Sequence, residues 1–349
     1  IPSWEGVYGG DGGQALIDYS NANNVWVESQ QAPHLLSQTG GGAYTYTFTS
    51  FSNANDFYNK IAQNQFYPEI VYSKSKTHTG IGLFEDIFRS NNRGIGVVEQ
   101  ISDFNSTHGL PTQHFIFGMF PSQADPNFMY LTEDQNLTYT SHLYRNMNML
   151  APASTVILSW NELQLPHPNY YNSMTPDLIN PNIIYITYGG NSWSYAQFYI
   201  ADYTIPSSPV FTDIAGTLGS GGLPNTRIGS ILLEKGSNGG IYVSTDIGVF
   251  YTNKSMINLS NPSATQWIRV GSSLPNIPIN SMDINYTANK LRVYTNGRGL
   301  WEHDLVCPSD LSFNFSGTQN TTTFHEAVDE IKSTAIISST NSITYRAGT

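Results

Sequence analysis

The apolar positions of this chain fall into short alternating runs, each bounded by Asn, Asp, Pro, Gly or Ser. A polar turn precedes an aromatic or β-branched strand at Ser20–Val27, Tyr67–Tyr72 and Ala124–Tyr130. The same pattern returns at Asn180–Tyr185, Asn238–Val243 and Ala288–Val293. Anchor positions 26, 72, 130, 185, 242 and 292 lie 46, 58, 55, 57 and 50 residues apart. Ten to twenty residues after each anchor comes a second strand carrying an aromatic, such as Leu143-Tyr144-Arg145 or Val249-Phe250-Tyr251. A third follows in the form Trp160-Asn161-Glu162-Leu163, Phe211-Thr212-Asp213-Ile214 or Trp267-Ile268-Arg269-Val270. A further apolar strand, such as Ile228–Leu233, leads into the next unit. Period-2 runs punctuated by turn formers predict strands. Four short strands recurring about every fifty residues predict an all-β fold, a β-propeller of six or seven four-stranded blades.

Little helix is expected, the best candidate being a short piece near Phe324–Ile331. Tyr72, Tyr130, Tyr185, Trp160 and Trp267 are read as packing between blades, because each blade must bury its faces against its neighbours. Six repeats are visible and Ile1 stands in mid-pattern, so the ring is expected either to be six-bladed or to lack an upstream piece. Residues 1–306 are assigned to the propeller. Residues 307–349, richer in Ser, Thr and Asn, are assigned to a linker and the start of a small β module.

Composition narrows function. Only 12% of residues are charged and 13% are aromatic, with a net charge of −11 and 15 Lys plus Arg. Phosphate neutralisation needs clustered basic residues, so no nucleic-acid partner is expected. No apolar run approaches eighteen residues, so no membrane insertion by a helix is expected. The single cysteine, Cys307, allows no disulfide within the chain.

Several segments resemble the secreted sialidase/xyloglucanase-like propellers with Asp-box (BNR) repeats. Ser90-Asn91-Asn92-Arg93-Gly94 is similar to a degenerate Asp-box, with Asn92 where the Asp would stand. Val243-Ser244-Thr245-Asp246-Ile247-Gly248-Val249-Phe250 resembles a strand pair of that group. The stretch from Trp267 through Leu274–Pro278 to Thr295–Glu302 resembles its terminal blade, and Gly9–Gly13 with Ile17-Asp18 its glycine-rich opening. Ile336–Gly348 resembles the start of a module that precedes the sorting signal of type IX secretion substrates. The resemblance implies a secreted or cell-surface location and further domains in the same polypeptide.

Catalysis has little support. A sialidase requires an arginine triad, and the arginines here fall in repeat-equivalent strands and turns without an Arg-Ile-Pro opening. Xyloglucanase-like enzymes use two carboxylic acids across a cleft. Asp11, Asp18, Glu85, Asp86, Glu133 and Asp134 could serve, yet neighbours on a strand face opposite sides of the sheet. No catalytic residue is assigned, with Asp11 kept only as a candidate. The eight histidines show no metal-ligand spacing. No cofactor is expected, although Ca2+ held by Asp and backbone carbonyls would suit such turns. The glycine-rich stretch Gly216–Gly222 lacks the Lys-Ser/Thr ending of a phosphate loop and reads as a flexible connection.

The binding candidates are aromatics in two irregular insertions, Tyr170 and Tyr171 in one, Tyr188, Trp193 and Tyr195 in the other. Flat rings stack on sugar faces, and loops on a rigid scaffold often carry function. The leading expectation is a non-catalytic binding propeller for polysaccharide or a surface protein. A glycoside hydrolase and an architectural module of an adhesin or filament are the alternatives.

Overall fold

The computed structural model describes residues 12–18, 21–29, 35–38, 44–46, 60–63, 70–78, 81–90, 99–109, 114–135, 141–167, 171–189, 196–271 and 274–306. It also describes the short strands at 313–315, 318–319, 323–327, 331–333, 336–337 and 343–347. Six successive antiparallel sheets run along the chain, each meandering from strand to adjacent strand. The first holds β1 (Gly12–Ile17), β2 (Val25–Ser29), β3 (Leu35–Ser37) and β4 (Tyr44–Tyr46). The second holds β5 (Lys60–Gln63), β6 (Ile70–His78), β7 (Ile81–Ser90) and β8 (Glu99–Gln100). The third holds β9 (His114–Pro121), β10 (Met129–Gln135), β11 (His142–Asn146) and β12 (Asn161–Leu163). The fourth holds β13 (Ser173–Pro176), β14 (Ile183–Tyr188), β15 (Gln197–Asp202) and β16 (Val210–Asp213). The fifth holds β17 (Ile228–Leu233), β18 (Ile241–Thr245), β19 (Gly248–Thr252) and β20 (Ile268–Arg269). The sixth shows β21 (Ile279–Asn285), β22 (Lys290–Thr295) and β23 (Gly299–Asp304). All six anchor positions predicted from the repeat fall on the second strand of a sheet.

The recurring polar turn joins the first strand to the second, and its chemistry repeats with it. The backbone N–H of Asp18, Ser122, Asp177 and Glu234 each donates to the carbonyl six residues on, at 2.9–3.0 Å. Inside that loop, the side chains of Asn21, Asp125 and Asn180 accept from the N–H two residues later, at 3.1, 2.9 and 3.0 Å. Such local bonds are why Asn and Asp dominate turns. The carbonyls of Asn127, Asn182, Asn238 and Asn289 then accept from Met149, Tyr203, Lys254 and Leu305, tying each turn to the end of the third strand.

After Asp304 the pairing changes from antiparallel to parallel. β24 (Phe313–Phe315), β25 (Thr318–Gln319) and β26 (Thr323–Ala327) pair with β27 (Ile331–Ser333), β28 (Ile336–Ile337) and β29 (Ile343–Ala347). The helix expected near Phe324–Ile331 is therefore a strand at 323–327. A helical nucleus of one turn is unfavourable alone, whereas a parallel partner at 343–347 satisfies this backbone along its length. Two helices that the sequence did not signal are α1 (Phe104–His108) and α2 (Ala153–Ile157). Asp103 caps the first by accepting from Ser106 N–H at 3.0 Å, and Gly109 ends it in a left-handed conformation.

Contacts divide the chain into two compact units, residues 1–170 with 176–183 and 203–209, and residues 171–175 with 184–202 and 210–349. Within the first, Ile87, Phe104, Leu131, Tyr144, Val156 and Trp160 belong to one buried cluster. Tyr130 is fully buried, and its hydroxyl donates to Pro181 O at 2.6 Å. Within the second, Phe198, Ile214, Ile228 and Trp267 form a cluster, and Tyr242, Tyr251, Leu291 and Val293 another. Burying such a side chain contributes about 1.5–3 kcal/mol, so the aromatic anchors are packing residues first.

Candidate functional site

In a four-stranded meander, the hairpin between the second and third strands lies at the same end as the link from the preceding sheet. For the fourth sheet this end holds the described start of its entry link, Tyr171-Asn172, and the described start of the β14–β15 connection, Tyr188-Gly189. Asn172 joins them: its N–H donates to Thr187 O at 2.6 Å, and its side-chain Nδ2 to Gly189 O at 2.7 Å. Tyr171 is half-buried beside this junction. Tyr188 departs from the expectation of an exposed ring. It is 3% exposed, as the last residue of β14, and its ring meets Tyr199 edge-on with centroids 6.0 Å apart. It packs against β15 rather than presenting a face. Tyr170, Trp193, Tyr195 and Asp11 lie outside the described residues.

At the same end of the fourth sheet, where β15 starts and β16 ends, is a cavity of about 230 Å³ that the sequence reading missed. Ala196 and Gln197, at the start of β15, form one part of its wall. Asp213, at the end of β16, and the link that follows it supply Ala215, Gly216, Leu218, Leu223 and Asn225. Its polar groups are held in place from behind. Asp213 Oδ1 accepts from the N–H of Phe198 at 3.1 Å and of Ala215 at 3.0 Å. Asn225 Oδ1 accepts from Ala196 N–H at 3.1 Å. Gln197 Nε2 donates to the Tyr199 hydroxyl at 3.0 Å. Burial, and secondarily the negative charge of Asp213, hold the Tyr199 phenol above its ordinary pKa.

The glycine-rich link is not the flexible connection its composition suggested. Gly222 N–H and Ser220 N–H both donate to Thr217 O, and Leu223 N–H donates to Ala215 O at 2.8 Å. Thr217 donates through both N–H and Oγ1 to Ser263 O, while Gly221 O accepts from Trp267 N–H at 2.7 Å. The glycines serve close approach rather than mobility. Gly216 has φ +74°, and a Cβ there would sit 2.4 Å from Thr265 O. The sequence signal was the run of glycines itself, which cannot distinguish a slack loop from one folded tightly on itself.

The carboxylates proposed from sequence are spread through the fold. Asp18 is 1% exposed and accepts from Asn24 Nδ2 at 2.9 Å across its own turn. Glu133 is fully buried in β10, and Asp134 follows it on the same strand. Glu85 is the extra residue of a bulge, because Lys74 pairs with Asp86 and Ser75 with Phe84. The strict alternation expected across Glu85-Asp86 is interrupted there. Arg89 and Arg145 serve the scaffold. Arg89 donates to Met149 O, to Ala151 O at 3.0 Å and to Glu99 at 2.8 Å. Arg145 donates to Asn182 Oδ1 at 3.0 Å and Tyr203 O at 3.3 Å. Among the described residues, no group of three His, Cys, Asp or Glu side chains is gathered to hold a metal ion. No helix among them is long and apolar enough to cross a membrane.

No family model matches this chain, and no curated protein matches it. Its likenesses are to solved structures. YCF48 from Cyanidioschyzon merolae is similar over 84% of this chain and 82% of its own, at 14% identity and a TM-score of 0.53. Raptor from Chaetomium thermophilum is similar over 85% of this chain and 24% of its own, at 11% identity and a TM-score of 0.53. A GH74 xyloglucanase from Xanthomonas campestris is similar over 83% of this chain and 43% of its own, at 12% identity and a TM-score of 0.49. Identities this low speak to architecture alone. Together with the six repeated antiparallel sheets among the described residues, the first two likenesses give this chain an all-β, β-propeller fold.

Proposed function

We propose that this chain is a non-catalytic binding propeller of a secreted or cell-surface protein, and that it takes a glycan or a protein partner. The observation that carries this reading is the fixed cluster at the hairpin end of the fourth sheet. Asn172 ties the entry into β13 to the end of β14 there, and where β15 starts and β16 ends a cavity carries clamped polar side chains. Groups already held in place spend little ordering entropy on a ligand. Hydrolysis by inversion or retention needs two carboxyl groups across a cleft. The cavity carries one, Asp213, and one of its oxygens already serves two backbone amides. That composition favours holding a ligand over cleaving it.

The same reading places residues 1–306 in the propeller and residues 307–349 in a linker and separate β module. The change to parallel pairing after Asp304 supports that boundary. Export by a type IX route and membership of the Asp-box propellers belong to this proposal and rest on the sequence resemblance. The test is a glycan-array and polysaccharide-hydrolysis screen with Asp11→Asn and Trp193→Ala variants beside the wild type. Binding without turnover, weakened by Trp193→Ala, is the expected result. Hydrolysis abolished by Asp11→Asn would make the chain a glycoside hydrolase instead.

A further inference from the structure

We infer that the cavity between β15 and the Ala215–Asn225 link is a subsite for a single neutral sugar ring. This rests on the binding reading above and names the chemistry of its ligand. Three side chains on the wall have one end clamped to the protein, which fixes what the other end offers. Asn225 gives its Oδ1 to Ala196 N–H, so its amide presents Nδ2 as a donor. Gln197 gives its Nε2 to the Tyr199 hydroxyl, so its amide presents Oε1 as an acceptor. Asp213 adds a carboxylate oriented by the two amides on Oδ1. An acceptor, a donor and a carboxylate together complement hydroxyls, each of which both gives and receives a hydrogen bond.

Charge selects within the sugars. Among the described residues that line the cavity, none is Lys, Arg or His. The carboxylate of a uronic or sialic acid would meet the negative charge of Asp213, an arrangement that costs affinity. Leu218, 53% exposed, adds apolar surface suited to the C–H face of a pyranose ring. The wall is rigid because Gly216 is packed against Thr265 O and the link is bonded to Ser263 and Trp267. The volume of about 230 Å³ suits one ring rather than a folded partner surface.

Saturation-transfer NMR tests this on the full chain with methyl glucoside, galactoside and mannoside, glucuronic acid and n-butylamine. The expected result is transfer to at least one neutral hexoside and none to the acid. Asp213→Asn retains an oxygen for the two amides, and Asn225→Asp retains one for Ala196. Each should weaken the neutral ligand tenfold or more with the thermal midpoint held within a few degrees. Should either variant unfold, Leu218→Arg puts a cation over the cavity without touching these bonds and must also abolish the signal. Equal or stronger binding of glucuronic acid or of the amine would overturn the inference. Neutral-sugar binding insensitive to all three variants would leave the binding function standing and remove this subsite from it. Capture of a protein partner with no sugar binding would do the same, whereas sugar hydrolysis would sink the binding reading itself.

Discussion

The indole Nε1 of Trp160 donates to the backbone carbonyl of Ile101 at 2.9 Å, from the start of one sheet's outer strand to the end of the preceding sheet's. Trp267 repeats the bond to Ile214 at 2.8 Å, two sheets later. Both tryptophans are almost wholly buried, so each carbonyl would lose its partner without access to water. Trp160→Phe and Trp267→Phe should each destabilise their unit by about 1–3 kcal/mol, the cost of a buried unsatisfied group. Urea unfolding monitored by circular dichroism measures it. A change under ~0.5 kcal/mol in both would show that the indole bonds do not pin the blades.

The polar turns should be separable from the core. Asn180 Oδ1 accepts from Asn182 N–H at 3.0 Å, in a loop where Asp177 Oδ1 also accepts from the N–H of Ile179 and Asn180 at 2.8 Å. Asn180→Ala is expected to cost about 1 kcal/mol. Asn180→Asp, which keeps the acceptor, should cost less than half of that in the same unfolding experiment.

The glycine link offers an internal contrast. At Gly219 the backbone is left-handed, φ +79°, and an added Cβ meets nothing within 4 Å. Gly219→Ala should therefore cost only the backbone strain, about 1–2 kcal/mol. Gly216→Ala adds a collision with Thr265 O and should cost more, and it should also weaken any ligand of the cavity. Equal costs at the two positions would mean that the link is slack, as its composition alone suggests.

Tyr199 provides a pH signature. Burial and the charge of Asp213 raise its pKa in the folded protein, so the neutral phenol is the favoured form. Its contribution to stability is fully present below the ordinary tyrosine pKa of about 10. It is lost as pH rises from there through the raised folded value. Absorbance titration of phenolate should lose one late-titrating tyrosine in Tyr199→Phe, and the same group should shift down in Asp213→Asn.

The scaffold was legible because its code is local and repeated. An Asn or Asp three or four residues before the second strand makes the same turn at 21, 125 and 180, and an aromatic on the second strand is buried at 26, 130 and 242. That the entry link of the fourth sheet and its β14–β15 hairpin share one end of that sheet follows from strand count alone. What stayed hidden was long-range. Nothing near Asp213 in sequence says that Gln197 and Asn225, sixteen and twelve residues away, share its cavity. Tyr188 looked like a loop aromatic because the strand ends with it, and only the ring of Tyr199 makes it a packing residue. The short segment at 323–327 was misread for the same reason, since its strand partner lies at 343–347.

The most direct measurement is a time course of reducing-end release from each polysaccharide that the wild-type chain retards in affinity gel electrophoresis. The account predicts retardation that Asp213→Asn weakens, with no new reducing ends over the time course. Release of reducing ends from a retarded polysaccharide, at a rate proportional to protein concentration, would contradict it.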